Sequence, residues 1–223
     1  MNDNSIGESA HVNIHEALKL DGSPEKIIHY YKNWAATYDK DVIDNYYGIQ
    51  LISDLLHNSL QQAEYKHTPV PMATTSVVDV GCGTGLLAAP LHKLGYEQLD
   101  GIDLSSEMIN KAHKTGRYRQ LFAGIDINHS IPTELQHSYH AAICLGVFTP
   151  GHVQPESLYG IAELMLPGGV MVISTRVPYY EQTNYQAVSD QIERDGLAVL
   201  KQVHRHAPYR NDGDAHYWIY EAL

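Results

Sequence analysis

Three acids, each set at the end of a short strand-like run, are the residues best placed to do chemistry in this 223-residue chain. The first is Asp79 in Val78-Asp79-Val80-Gly81-Cys82-Gly83-Thr84-Gly85-Leu86. The β-branched run 76–80 predicts a strand that ends in a glycine-rich turn and leads into a helix. Glycines let a backbone approach a ligand closely and adopt positive φ at little steric cost. In open α/β sheets, ligands sit at the carboxyl ends of the strands. A dinucleotide site reads G-x-G-x-x-G and turns a helix N-terminus toward a pyrophosphate. Here the spacing is G-x-G-x-G, with Leu86 where the third glycine belongs. An acid two residues before the turn repels a phosphate and suits a cationic ammonium.

Asp103, in Gly101-Ile102-Asp103-Leu104-Ser105, lies 24 positions after Asp79. That is close to the roughly 20-residue separation of an acid that holds a ribose. Asp126 follows Ala123-Gly124-Ile125 and can accept from an adenine amino group while Ile125 packs on the ring. S-adenosylmethionine has such an ammonium, together with a ribose and an adenine, and it has no phosphate. Blander readings stand beside these. The glycine turn can be a plain strand-to-helix connection, Asp103 a cap for a helix starting near Ser105, and Asp126 an ordinary loop acid.

Other residues have candidate roles on the acceptor side. His152 follows Thr149-Pro150-Gly151 just past a fourth strand, where a base could act. Sixteen of the chain's aromatic residues are tyrosines, and a ring face stabilises a cation such as a sulfonium by about 0.5–2 kcal/mol. Tyr30, Tyr31, Tyr38, Tyr179 and Tyr180 lie in segments expected to frame the pocket. Arg176, at the end of a fifth strand, can bind a substrate carboxylate or serve a surface ion pair. Cys82 is read as a small residue lining the site, because no histidine is tied to it at a nucleophile's spacing. Cys144 is read as buried strand. Fourteen histidines without HExxH or a carboxylate cluster give no metal site.

The elements that must position these groups are legible from periodicity. Ser23-Pro24-Glu25 predicts a helix start with Ser23 as cap, carrying Ile27, Ile28, Tyr31 and Trp34 on one face. A second helix is expected over 46–64 and a linker over 67–75. Strands are expected at 76–80, 98–103, 120–123, 141–147 and 170–175, with helices at 86–94, 105–115, 154–166 and 185–195 and a turn at 167–169. Gly95 is expected to end the first helix after the glycine loop. Two last strands, 198–204 and 215–221, have no helix between them and read as an antiparallel hairpin. The alternation predicts an α/β fold with a mostly parallel sheet covered on both faces. The first 20 or so residues read as an arm or weak helix.

The formal charge of −11 disfavours a nucleic-acid backbone and an anionic membrane surface. No run of 18 apolar residues is present to span a bilayer. Two distant cysteines and a polar N-terminus without a signal-peptide layout fit a reducing, cytoplasmic setting. The oligomeric state is not legible.

The ordered motifs DVGCGTG, GIDLSSEMINKA and LPGGVMVIST resemble the class I S-adenosylmethionine-dependent methyltransferases, over about residues 30–177. Within that superfamily, YDKDV, GLLAAPL, GRYRQL and ICLGVFTPGHV look like the Williams–Beuren-region methyltransferase-like family. The resemblance implies a Rossmann-like seven-stranded sheet with an antiparallel C-terminal hairpin and a helical lid. It implies one domain over 1–223, with arm and lid in 1–66 and core in 76–223. It assigns Asp79, Gly81, Gly83 and Gly85 to the methionine end of the cofactor, Asp103 and Leu104 to its ribose, and Ile125 and Asp126 to its adenine, with Cys82 and Met108 as further cofactor-binding candidates. Leu145 and Gly146 border the sulfonium. Tyr30, Tyr38, His152 and Tyr179 are the catalytic candidates, and Tyr31, Arg176 and Tyr180 the substrate-binding ones.

The expected reaction is methyl transfer to a small soluble metabolite. An alternative keeps the cofactor and changes the bond broken. The ligand's own amine attacks its γ-carbon, giving methylthioadenosine and azetidine-2-carboxylate in natural-product biosynthesis. A non-catalytic cofactor-binding scaffold and a nicotinamide dehydrogenase are further readings, the last disfavoured by the glycine spacing.

Overall fold

The structure is a computed structural model that describes residues 13–44, 46–62, 71–129 and 131–223. Seven strands form one sheet in the order β3-β2-β1-β4-β5-β7-β6. They are β1 (Ser76–Val80), β2 (Gln98–Asp103), β3 (Gln120–Ala123), β4 (Tyr139–Phe148), β5 (Met165–Arg176), β6 (Ala198–Arg210) and β7 (Gly213–Ala222). β1 pairs in parallel with β2 on one side and with β4 on the other. The chain therefore winds outward from β1 through β2 and β3, then crosses over and winds the other way. That reversal leaves a crevice beyond the carboxyl ends of β1 and β4, the place where such sheets bind ligands. β7 runs antiparallel to both β5 and β6, which makes β6 an edge.

Every residue of β1 is buried, and successive side chains divide between two cores. Val78, Val80, Ala142, Cys144, Met171, Ile173, Trp218 and Tyr220 pack on one face against α6 (Ser157–Glu163), α7 (Val177–Gln182) and α8 (Tyr185–Arg194). Val77, Ala141, Ile143, Val170, Val172, Tyr217 and Ile219 pack on the other against α3 (Gly48–Gln61) and α4 (Ala88–Lys93). A strand buried on both faces reads as a near-continuous apolar run, as residues 141–144 of β4 do.

The lid rests on local chemistry. α1 (Pro24–Trp34) starts at Ser23, whose hydroxyl accepts from the Lys26 N–H, with proline in the first turn; such a cap contributes about 1 kcal/mol. α2 (Tyr38–Val42) follows it. Trp34, Val42 and Ala17 form a third cluster, with Tyr30, Tyr31 and Tyr38 packed against it. α5 (Ser106–Lys114) is capped by Ser105, which accepts from the Met108 N–H.

Several boundaries differ from the sequence expectation. The Pro167-Gly168-Gly169 turn lies inside β5, as an irregularity that shifts the pairing from Tyr139↔Met165 to Ala141↔Val170. The helix expected over 154–166 is only Ser157–Glu163, and the one over 86–94 begins at Ala88, after a turn. α2 and α7 were not foreseen; each is too short for periodicity to register. Residues 13–17 are helical, as one reading of the arm allowed. Residues 1–12 of the arm and 67–70 of the expected linker lie outside the described residues, and the linker's remainder holds a 3-10 turn, Met72–Thr74.

Candidate active site

The glycine turn is bent toward the crevice. Gly81 and Gly83 have φ of +68° and +54°, and a Cβ on Gly81 would come within 2.3 Å of Val147 Cγ2. A Cβ on Gly83 would meet no atom within 4 Å, because that position faces open space. Three hydrogen bonds hold the turn. The N–H groups of Gly81 and Cys82 both donate to the Ile102 carbonyl, at 2.8 and 3.0 Å. The Gly83 N–H donates to Asp103 Oδ2 at 2.8 Å.

Asp79, in β1 two residues before this turn, is 1% exposed. Its Oδ2 accepts from the Tyr118 hydroxyl at 2.7 Å, while its Oδ1 has no hydrogen-bond partner. Burial, opposed by the Tyr118 hydrogen bond and reinforced by Asp103, pushes its carboxyl up to about 7. A buried acceptor with an idle oxygen is costly unless a donor arrives. It borders a space of about 330 Å³ that is also lined by Tyr38, Tyr46, Gly81, Cys82, Gly83 and Leu145.

Asp103 and Asp126 border the larger space next to it, about 830 Å³ counting its open mouth. Asp103 Oδ1 accepts from the Ser105 N–H at 2.8 Å, so this acid both braces the turn before α5 and lines the cavity. Burial raises its carboxyl against the pull of the Ser105 and Gly83 N–H groups. Asp126 accepts from the backbone N–H and side-chain amide of Asn128, both at 2.9 Å, and its other oxygen faces His129 Nδ1 at 3.0 Å. Leu104, Met108, Ile125, Leu145 and Gly146 line the same cavity, with Ile27, Tyr31 and Tyr38 supplied by the lid.

On the lid side Tyr31 and His152 meet, with Tyr31 Oη 2.8 Å from His152 Nε2. His152 Nδ1 lies 3.0 Å from the Pro150 carbonyl. A carbonyl only accepts, so Nδ1 carries the proton and Nε2 accepts from the tyrosine. Burial holds the imidazole below its ordinary value, and thus neutral, and holds the Tyr31 phenol well above its own. A third space of about 430 Å³ shares Tyr31, Tyr38, Gly146 and His152 with the main cavity and is walled further by Trp34, Tyr46, Arg176, Tyr209 and Arg210.

Comparison with known proteins bears directly on this geometry. Residues 77–169 match the family model described as a methyltransferase domain. Over 176 residues, covering 76% of this chain and 67% of the relative, the sequence is 30% identical to methyltransferase-like protein 27 of Homo sapiens. The chain belongs to the S-adenosylmethionine-dependent methyltransferase family. Its kinship within that family is with the Williams–Beuren-region methyltransferase-like proteins. It is also 29% identical over 118 residues to a ubiquinone biosynthesis O-methyltransferase of Xanthomonas euvesicatoria pv. vesicatoria, covering half of this chain and 47% of that one. The chain therefore spans about half the length of that relative. Among solved structures, the fold is that of a TehB-like methyltransferase from Corynebacterium glutamicum (TM-score 0.56, 16% identity, 90% of this chain and 98% of that one). It is likewise that of magnesium protoporphyrin IX methyltransferase from Synechocystis, crystallised with S-adenosylmethionine (TM-score 0.56, 18% identity, 78% and 79%).

Two features of this methyltransferase-family chain fit the family's cofactor: the unpartnered oxygen of Asp79 and the unfilled position beside Gly83. Other anticipated residues fall elsewhere. Gly85 turns toward Tyr118 and Thr115 rather than the cavity. Tyr30 donates to the Asn13 carbonyl and packs beside Trp34. Tyr179 is 2% exposed and donates to the Val153 carbonyl at 3.0 Å, against Phe148 and Tyr185. Tyr180 packs on His216 and Trp218. None of these three tyrosines is among the residues lining the three spaces. Burial holds the Cys82 thiol protonated, in line with a lining role. Sequence reasoning missed Tyr118, Tyr46, Tyr209 and Arg210. Only Tyr118 lies within a noted motif, GRYRQL, and the hairpin residues carry none. Among the described residues no group of three His, Cys, Asp or Glu converges on a metal position, and no helix is long and apolar enough to cross a membrane.

Proposed function

We propose that the chain transfers a methyl group from S-adenosylmethionine to a small soluble acceptor. The observation that carries the reading is the idle, buried oxygen of Asp79 beside a glycine cradle, continuous with a cavity bordered by Asp103 and Asp126. Asp79 would take the ammonium, Asp103 the ribose hydroxyls and Asp126 the adenine amino group, with Leu104, Met108 and Ile125 against the nucleoside. When bound, this cofactor supplies an activated methyl group on a positively charged sulfur. The chain's own work is then to align an acceptor, keep water out and take a proton. Tyr31 and Tyr38 close the cavity from the lid. Tyr31 can accept the acceptor's proton while passing its own to the neutral Nε2 of His152.

Residues 1–223 act in this reading as one domain, the core in 76–223 and the arm and lid in 1–66. Free thiols at Cys82 and Cys144 suit a reducing compartment such as the cytoplasm. The cyclase alternative, with its natural-product role, needs a site closed to any second molecule. The adjoining space of about 430 Å³ favours methyl transfer instead.

Calorimetry with S-adenosylmethionine, followed by mass spectrometry of products with and without metabolite extract, tests this. Binding is expected, with S-adenosylhomocysteine and a methylated product appearing only when extract is present. Asp103→Ala is expected to weaken binding about ten- to a hundredfold, the loss of hydrogen bonds to a charged group. Absence of heat refutes the reading, and methylthioadenosine formed without extract replaces it with the cyclase.

A further inference from the structure

We propose that the acceptor is an aromatic carboxylate, its carboxylate taken by Arg176 and Arg210 and its ring by the aromatic walls behind the lid. The inference rests on the methyl-transfer reading and adds the chemical class of the acceptor.

The hairpin brings the two arginines together. Arg176 pairs with Ala215 on one side of β7, and Arg210 with Gly213 on the other. Arg176 is 7% exposed, and its Nε has no hydrogen-bond partner among the described residues. Its Nη2 stands 3.6 Å from Asp212 Oδ2, beyond a normal hydrogen bond. Arg210 Nε is 3.3 Å from the other oxygen of the same carboxylate. Two guanidinium groups thus share the one Asp212 carboxylate.

A buried guanidinium with an idle N–H, beside a cavity, suits a planar anion that presents two oxygens. The other walls are rings. Arg176 lies 4.9 Å from the centroid of the Tyr209 ring. The Tyr46 and Tyr209 hydroxyls bond to each other at 2.8 Å, their rings pack edge to face, and both residues border this space. Tyr31, Tyr38, Gly146 and His152 belong both to this space and to the main cavity. A ring anchored at the arginines therefore directs a hydroxyl or amino substituent toward the Tyr31–His152 pair.

In the transfer, the substituent's lone pair forms the new bond to carbon as the S–CH3 bond breaks, its electrons staying on sulfur. The substituent's proton passes to Tyr31 Oη, the tyrosine's own proton passes to His152 Nε2, and the imidazolium returns it to water.

The test is titration calorimetry on the full chain saturated with S-adenosylhomocysteine, using benzoate, 4-hydroxybenzoate, methyl benzoate, benzylamine and inorganic phosphate as probes. Benzoate and 4-hydroxybenzoate are expected to bind at least tenfold tighter than the ester, the amine or phosphate. Arg176→Gln and Arg210→Gln are each expected to weaken benzoate tenfold or more, with S-adenosylhomocysteine affinity and circular dichroism unchanged. If burial makes Arg176→Gln unfold, Arg210→Gln at the rim carries the test alone. Ester or phosphate binding as tightly as benzoate overturns the proposal, as does unchanged benzoate affinity in the folded variants. Failure of the methyl-transfer reading looks different: S-adenosylhomocysteine gives no heat with the unaltered chain, while the acids still bind.

Discussion

Asp79 shows how one buried oxygen can set a pH profile. In an unfolded chain its carboxyl titrates near 4; in the fold, burial pushes it up to about 7. Between those values the folded protein holds a proton that the unfolded one has lost, so Asp79 makes stability fall as pH rises through about 4 to 7. Below that window the group is protonated in both states and contributes nothing. An ammonium needs the ionised form, so binding must expel the proton. Affinity for S-adenosylmethionine is therefore expected to rise about tenfold per pH unit from pH 5 toward 7 and then level, with calorimetric heats that depend on the buffer's ionisation enthalpy. Asp79→Asn is expected to abolish both the slope and the proton release, while leaving an acceptor for the Tyr118 hydroxyl. A slope that survives in the variant assigns the proton elsewhere. That Asp79, Gly81, Gly83, Asp103 and Asp126 lie together at the cavity was legible from type and spacing along one βαβ path, whereas Gly85 turns away from it. Tyr118, Tyr209 and Arg210 were not legible, because they reach the site through pairings distant in sequence.

At the level of elements, the lid depends on a few polar ties. Asp41 Oδ2 accepts from Trp34 Nε1 at 2.7 Å, from the Thr37 hydroxyl at 3.0 Å and from the Asn13 amide at 3.2 Å. One carboxylate thus joins α1, α2 and the segment before them. Thr84 in the glycine turn donates to Asp39, which fastens α2 to the loop below it. Asp41→Ala is expected to loosen the lid by about 1–3 kcal/mol. In a Trp218→Phe background Trp34 is the remaining tryptophan, and its emission should shift to the red as it meets water. The cofactor should leave faster, because the lid helps to enclose it. An unshifted emission would place the lid's stability in its ring packing instead. The sequence marked α1 well, since Ser23 and Pro24 are start signals with their own physics. It also marked β2 and β3 to the residue, where β-branched or apolar runs end at a glycine or an acid. It failed where tertiary pairing decides. Pro167-Gly168-Gly169 carries turn chemistry but is absorbed into β5, because β4 and β7 are there to pair with the flanking residues.

Across the whole molecule, the site is assembled from parts of unequal stability. In the proposed reading the cofactor side hangs on β1, β2 and β4; β1 is buried throughout, β4 in six of its ten residues, and both are paired on both sides. The acceptor side, in the same proposed reading, hangs on β6, β7, the lid and the segment before it. β7 is buried over most of its length and anchored by Trp218, whose indole donates to Thr175 at 2.9 Å. β6 is an edge, with five of its thirteen residues exposed, only two buried, and irregular pairing at three places. Local opening follows exposure and the density of packing. Amide hydrogen exchange of the ligand-free protein is therefore expected to be slowest in β1, β4 and β5 and much faster in β6 and the lid. S-adenosylmethionine alone should slow exchange in the glycine turn, the start of α5 and the lid, and leave β6 unchanged. Protection should extend to residues 209–213 only when an aromatic acid is added as well. If the cofactor alone protects the hairpin, the two halves are one cooperative unit, and acceptor binding is preorganised by the cofactor rather than built on a separate, softer wall.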